Sequence, residues 1–167
     1  MEELAGRIGG LILAGLPGID APQETAQFIA GTAGAVLFRR NIATLEQTRA
    51  LIDDLQAARP PHRPPLLIAA DQEGGTVERL GSLGSPAPSA MALGAAWQPE
   101  LTRAVYRMIG ADLRGLGINL DFAPVADVNT NPENPVIGLR SFGDDPARVG
   151  AHVAAAIDGL HAAGIAS

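Results

Sequence analysis

Four short apolar runs recur along the chain, at residues 11–14, 35–38, 66–70 and 118–124, each followed by a stretch with apolar positions at helical spacing. None of the runs alternates apolar with polar, so both faces of each predicted strand should be covered, as in parallel sheets under helices. After the first run, Gly15-Leu16-Pro17-Gly18 turns the chain. A helix then follows, with Asp20 or Ala21 before Pro22 at its first position, Phe28 and Ile29 facing inward and Gly31 ending it. After the second run, Thr44 with Gln47 three residues later reads as a capping box. Leu45, Leu51, Ile52 and Leu55 mark the buried stripe until Pro60-Pro61 stops the helix.

The third run leads into a long loop from Asp71 to about Trp97, and a helix resumes near Pro99 with Leu101, Val105, Met108, Ile109 and Leu113 on one face. A second long loop, rich in Asn and Pro, follows the fourth run as far as Gly143. Pro146 then opens a last helix carrying Val149, Val153, Ile157 and Leu160. A fifth strand should begin at Gly164-Ile165-Ala166-Ser167. Two closures suit this pattern, an open doubly wound sheet or a (β/α)₈ barrel, and the pattern alone does not choose between them. In both, the long loops lie at the strand carboxyl ends.

Composition narrows the function classes. The chain has 167 residues, 47% of them apolar and 18% charged, enough for one domain with a real core. Its net charge of −6 argues against a nucleic-acid surface, which needs clustered Lys and Arg. No apolar run approaches the roughly 20 residues that span a bilayer. The acidic start Met1-Glu2-Glu3 lacks the basic opening of a secretory signal. With no cysteine there is no disulfide and no thiolate metal site. These features fit a cytoplasmic protein, with an extracytoplasmic one as the alternative. The 20 Gly and 13 Pro fit many tight junctions between elements.

Two segments carry the candidate chemistry. In Asp71-Gln72-Glu73-Gly74-Gly75, with Arg79 close behind, a carboxylate ends a buried strand and needs a cation, donors or a ligand. The paired glycines allow close approach to a ligand or positive φ, and Arg79 offers a forked donor. The structural alternative is that Asp71 caps the loop and Arg79 neutralises it. Asp71 and Glu73 do not suit a retaining glycosidase pair, although such pairs stand roughly 5–5.5 Å apart. Neighbours two apart on one segment point the same way, whereas the chemistry needs groups flanking the anomeric carbon. The second segment runs from Asp121 through Asp127 and Asn129 to Arg140-Ser141-Phe142. Its structural reading is a loop whose Asn and Asp side chains bond their own backbone. His62 should be exposed, and His152 and His161 lack a third ligand at metal spacing, so no metal is expected. Of Arg39-Arg40-Asn41, one side chain could face the site or bridge to the acidic loops. Phosphate-loop, dinucleotide and nucleophile-elbow patterns are absent.

Three motifs in order, Asp-Gln-Glu-Gly-Gly-x-Val-x-Arg at 71–79, Asp-Phe-Ala-Pro-Val-x-Asp-Val at 121–128 and Gly-x-Arg-Ser-Phe at 138–142, resemble the N-terminal domain of glycoside hydrolase family 3. The type is that of the bacterial β-N-acetylhexosaminidases, and the resemblance covers residues 1–167. It implies an α/β fold, the N-terminal half of a TIM-like (β/α)₈ barrel with about four βα units. It implies removal of terminal β-linked N-acetylglucosamine from peptidoglycan fragments or chitooligosaccharides by a retaining mechanism, without cofactor or metal. Asp71, Arg79 and Arg140 are then substrate-binding residues for a small carbohydrate, with Glu73 and Asp127 supporting them. The family's Lys-His-Phe-Pro-Gly-His-Gly stretch, its acid/base His and its nucleophilic Asp are expected beyond residue 167. The chain alone should therefore hold part of the sugar site and no catalytic residue. A β-glucosidase-type exo-glycosidase and a non-catalytic sugar-binding fragment are the alternatives. A half barrel with open edges should also aggregate, stay molten or pair with a second copy.

Overall fold

The structure, a computed structural model, describes residues 8–167; the acidic start at Met1-Glu2-Glu3 lies outside them. Four parallel strands, β1 (Leu13–Gly15), β2 (Gly34–Val36), β3 (Leu67–Ala70) and β4 (Leu120–Asp121), pair in the order β1-β2-β3-β4. Register runs Leu13 to Gly34, Gly34 to Leu67 and Ala69 to Leu120. The ladder reaches past the short strands, since the Leu37 amide donates to Ala69 O and that of Phe122 to Ala70 O, both at 2.8 Å.

Strand order decides between the two closures left open by the sequence. A doubly wound sheet reverses direction at a switch point, whereas a barrel adds each strand beside the last. Here the order is monotonic, and Ala166 continues it by bridging Leu120 in parallel. The Asp121 amide donates to Ala166 O at 2.8 Å and the Ala166 amide to Asn119 O at 3.0 Å. The chain is thus the N-terminal half of a TIM-like barrel, four βα units with the next strand begun where the sequence placed it.

Among the described residues, five helices connect and cover the strands: α1 (Gln23–Ala30), α2 (Leu45–Ala58), α3 (Ala90–Ala96), α4 (Pro99–Leu116) and α5 (Pro146–Ala162). Helix α1 begins one residue later than its sequence suggests. Pro22 has ψ 152, an extended angle, and stands in the cap position. Its buried face is Ala26, Ile29 and Ala30. Phe28, expected inward, is 63% exposed because it lies about 100° around the helix from Ile29. Thr44 does cap α2 by accepting from the Gln47 amide at 3.1 Å, but the Gln47 side chain returns to the amide of Ala43 rather than to that of Thr44. Leu51, Ile52 and Leu55 are buried, while Leu45 is not.

Helix α3 was not foreseen; its sequence, Ala-Met-Ala-Leu-Gly-Ala-Ala, has no polar face to reveal a period. Its one local signal is Ser89, which caps it by accepting from the Ala92 amide at 3.2 Å. In α4, Ile109 and Leu113 face the core as expected, together with Tyr106 and Leu116, whereas Leu101 is exposed. Helix α5 opens at Pro146 under an Asp145 cap and buries Val149, His152, Ala156 and Leu160. The core lies between the helices and the sheet, where Leu37, Ile68 and Ile118 meet Ile29, Leu55, Leu113 and Leu160. Among the described residues no helix is long and apolar enough to cross a membrane.

Candidate functional site

Asp71 follows the last residue of β3, so the chain leaves the sheet with this carboxylate at the strand's carboxyl end. The next two glycines turn it back. Gly74 and Gly75 have φ 87 and 62, which L side chains rarely adopt. A Cβ at Gly74 would lie 2.7 Å from Pro88 O, and one at Gly75 would lie 2.7 Å from the Ser89 Cβ. Of the two uses foreseen for these glycines, positive φ is realised, and the space beside them is filled by the chain's own approach to α3. The Glu73 amide closes the turn on Val77 O at 2.9 Å.

Gln72, a motif residue with no role legible from sequence, organises this loop. It is buried, and its Oε1 accepts from the amides of Arg79 at 2.8 Å and Leu80 at 3.1 Å. That fixes the backbone at Arg79, whose Nη2 and Nε donate to Asp71 Oδ2 at 2.9 and 3.3 Å. Both side chains remain partly open, 29% exposed for Arg79 and 25% for Asp71. Asp71 Oδ1 and Arg79 Nη1 have no hydrogen-bond partner among the described residues.

Arg140 arrives from the second long loop and makes a different kind of pair. Its Nε and Nη2 donate to Glu73 Oε2 and Oε1, each at 2.8 Å, a two-bonded fork. Glu73 is nearly buried, its side chain 7% exposed, so both its oxygens are spent on Arg140. Hydrogen bonding to Glu73 raises the Arg140 pKa further above its ordinary value, with the Glu73, Asp127 and Asp71 charges adding to it. The arginine is a fixed cation. Asp71 and Glu73 thus face separate cations, one half-open and one closed.

The loop carrying Arg140 is tied by Ser141, a buried motif residue for which the sequence suggests no role. Its hydroxyl donates to Asp127 O at 2.6 Å and Gly143 O at 2.9 Å. Asp127 contributes its carbonyl to this tie; its side chain is exposed and lies near enough to Arg140 to act on it only through space. Asn131 and Asn134 accept from backbone amides two or three residues on, the local turn bonding expected for them. Phe142 then stacks on His152, ring centroids 5.2 Å apart. His152 is itself buried, with Nδ1 2.7 Å from Thr102 Oγ1. Burial, then the Arg148 charge, lowers its pKa.

Neither Arg39 nor Arg40 bridges to the acidic loops. Among the described residues the ion pairs are Asp71–Arg79, Glu73–Arg140 and Glu100–Arg103. Arg40 lies over the Phe38 ring at 4.6 Å and donates to Leu16 O, and Arg39 packs on Gly81. Asn41 is the buried member, donating to Leu16 O and Gly18 O and so tying the loops after β1 and β2 together. His62 and His161 are exposed.

The profile of the glycosyl hydrolase family 3 N terminal domain matches residues 7–167. The chain belongs to glycoside hydrolase family 3. Beta-hexosaminidase A of Pseudoalteromonas piscicida is 37% identical over 154 residues, 87% of this chain and 26% of that protein. A beta-hexosaminidase of Stenotrophomonas maltophilia is 34% identical over 165 residues, 94% of this chain and 48% of that protein. Among solved structures, a family 3 beta-N-acetylglucosaminidase from Paenibacillus superposes with a TM-score of 0.90 at 40% identity, over 97% of this chain and 31% of that one. A beta-N-acetylhexosaminidase from Beutenbergia cavernae gives 0.85 at 36% identity, over 98% and 52%. The chain therefore spans from about a quarter to about half the length of these family 3 relatives.

Proposed function

We propose that this chain supplies the sugar-gripping part of a retaining glycoside hydrolase that releases terminal β-linked N-acetylglucosamine from peptidoglycan fragments or chitooligosaccharides. The observation that carries the reading is the unequal use of the two acids. Asp71 keeps an oxygen free beside the partly exposed Arg79, whereas Glu73 is consumed in holding Arg140. A carboxylate with a free oxygen accepts from ring hydroxyls, and an arginine with unused N–H groups donates to sugar oxygens. Asp71, Arg79 and Arg140 are the binding residues; Glu73 positions Arg140, and the Asp127 carbonyl holds the loop behind it. The names of the relatives and solved structures, all hexosaminidases or N-acetylglucosaminidases, support N-acetylated sugars over plain glucosides.

In this reading, residues beyond 167 supply the acid/base and the nucleophile, and the intact enzyme works by two-step retention through a glycosyl-enzyme intermediate. The test compares two preparations on 4-nitrophenyl N-acetyl-β-glucosaminide. The full-length protein is expected to release nitrophenol and the 167-residue chain to release none. Turnover by the 167-residue chain would overturn the assignment of catalysis to later residues. Equal turnover of the plain glucoside by the full-length protein would move the substrate to the β-glucosidase type. N-acetylglucosamine binding by the 167-residue chain, lost in Asp71→Ala, would show the sugar grip on its own.

A further inference from the structure

Asp121 ends β4 with its side chain wholly buried, and no step of the sugar-binding reading uses it. Its Oδ1 accepts from the Gln72 amide at 2.9 Å. Its Oδ2 is buried and has no hydrogen-bond partner among the described residues. A buried carboxyl with one oxygen unanswered is costly, and an apolar residue would fill the same space without that cost. What the carboxyl provides is an acceptor for one particular amide. Gln72 is the residue whose Oε1 holds the amides of Arg79 and Leu80, and Arg79 stands on Asp71. One line of bonds therefore runs from the carboxyl end of β4, through Gln72, to the open ion pair.

We propose that Asp121 is a positioning residue of this site: by holding the Gln72 amide it sets the Arg79–Asp71 pair, and its ionisation couples the order of that pair to pH. The functional consequence rests on the sugar-binding reading of Asp71 and Arg79; the coupling itself does not. The ionisable groups facing Asp121 are Asp71 and Glu73 from the loop after β3 and Tyr106 from α4, whose hydroxyl donates to Glu73 O at 3.1 Å. Burial first, then the Asp71 and Glu73 charges, push the Asp121 carboxyl up to about 7, against the lowering pull of the Gln72 amide. Near neutral pH the group changes charge. The ionised form makes a charge-assisted bond to Gln72, about twice as strong as the neutral one.

The experiment follows solvent exchange of the Gln72 amide and the Arg79 Nε–H by NMR from pH 5.5 to 8.5, corrected for intrinsic rates. The wild-type chain, Asp121→Asn and Asp121→Ala are compared, with the Ile68 and Leu113 amides as core references. In the wild type, protection of both reporters relative to the core amides should rise through about pH 7. Asp121→Asn keeps an acceptor of the same shape and should hold the pair ordered with a flat profile. Asp121→Ala should lose roughly tenfold protection at both reporters, the equivalent of about one net hydrogen bond, while the core references stay. A pH step that persists in Asp121→Asn would overturn the proposal, and so would reporters that move only together with the core amides. N-acetylglucosamine titration of the same samples is scored separately. Failure of the sugar to bind would remove the sugar reading and leave the exchange result standing.

Discussion

Asp71 and Glu73 are two residues apart and chemically alike, yet the structure gives them opposite exposures and opposite expected responses to substitution. Asp71 shares a part-exposed pair, and such pairs contribute little to stability, about 0–1 kcal/mol. Asp71→Ala should leave urea unfolding nearly unchanged and abolish N-acetylglucosamine binding. Glu73 sits 7% exposed in a two-bonded fork. Glu73→Ala strands Arg140 and should cost about 2 kcal/mol in the same unfolding measurement. Asp121 adds a pH dependence whose sign is fixed. Its carboxyl goes from 3.8 to about 7 on folding, so the folded state holds the proton more tightly. The associated stability is complete below about pH 4 and is lost as pH rises through about 7. Asp121→Asn should therefore match the wild type at pH 4 and exceed it at pH 8 by up to roughly 4 kcal/mol. Equal stabilities at pH 8 would refute this. The sequence showed Asp71, Arg79 and Arg140 as candidates because motif spacing is local information. No role for Gln72, Asp121 or Ser141 was legible there, since their roles depend on partners that only the fold brings near. The bond from Asp121 to Gln72 crosses 49 positions of sequence.

At the scale of elements, segments that pack closest to a helix do so on glycine. A Cβ at Gly159 of α5 would come within 2.4 Å of Arg103 O on α4, and one at Gly94 of α3 within 1.8 Å of Phe142 O. Gly94→Ala should therefore push α3 away from the Ser141-Phe142 segment, destabilise the chain by about 1–3 kcal/mol and loosen Arg140. Gly150 tests the opposite case. It lies within α5 with nothing within 4 Å of its would-be Cβ, so Gly150→Ala should stabilise by about 0.5–1 kcal/mol. Thermal unfolding of both variants checks the pair, and a loss at Gly150 would contradict it. These contacts explain what the hydrophobic pattern could and could not reveal. Runs of apolar residues located all four strands to within a few positions, because strands without a polar face leave a continuous signature, even though Leu11, Ile12 and Leu67 stand exposed here. The same rule hid α3, whose all-small, apolar sequence has no exposed polar stripe. It also misdirected Phe28, since an aromatic residue reads as buried whatever its helical phase.

At the scale of the whole molecule, the edge at β1 and the apolar residues around the amino-terminal end of the sheet stand exposed among the described residues. Among the described residues β1 pairs with β2 alone, and Ile8, Leu11, Ile12, Phe28 and Leu67 are all exposed large apolar residues. Such a surface seeks a partner. The 17.1 kDa chain is expected to elute from a sizing column above its monomer mass, increasingly so at higher concentration. A monomer at every concentration would rule this out. Monotonic strand order has another consequence, during synthesis. Each strand pairs with the one completed just before it, and Ala166 docks on an edge already formed by Asn119 and Asp121. A nascent chain leaving the ribosome can therefore add its barrel one unit at a time in order of translation. Every intermediate then presents a growing parallel edge as the template for the residues that follow.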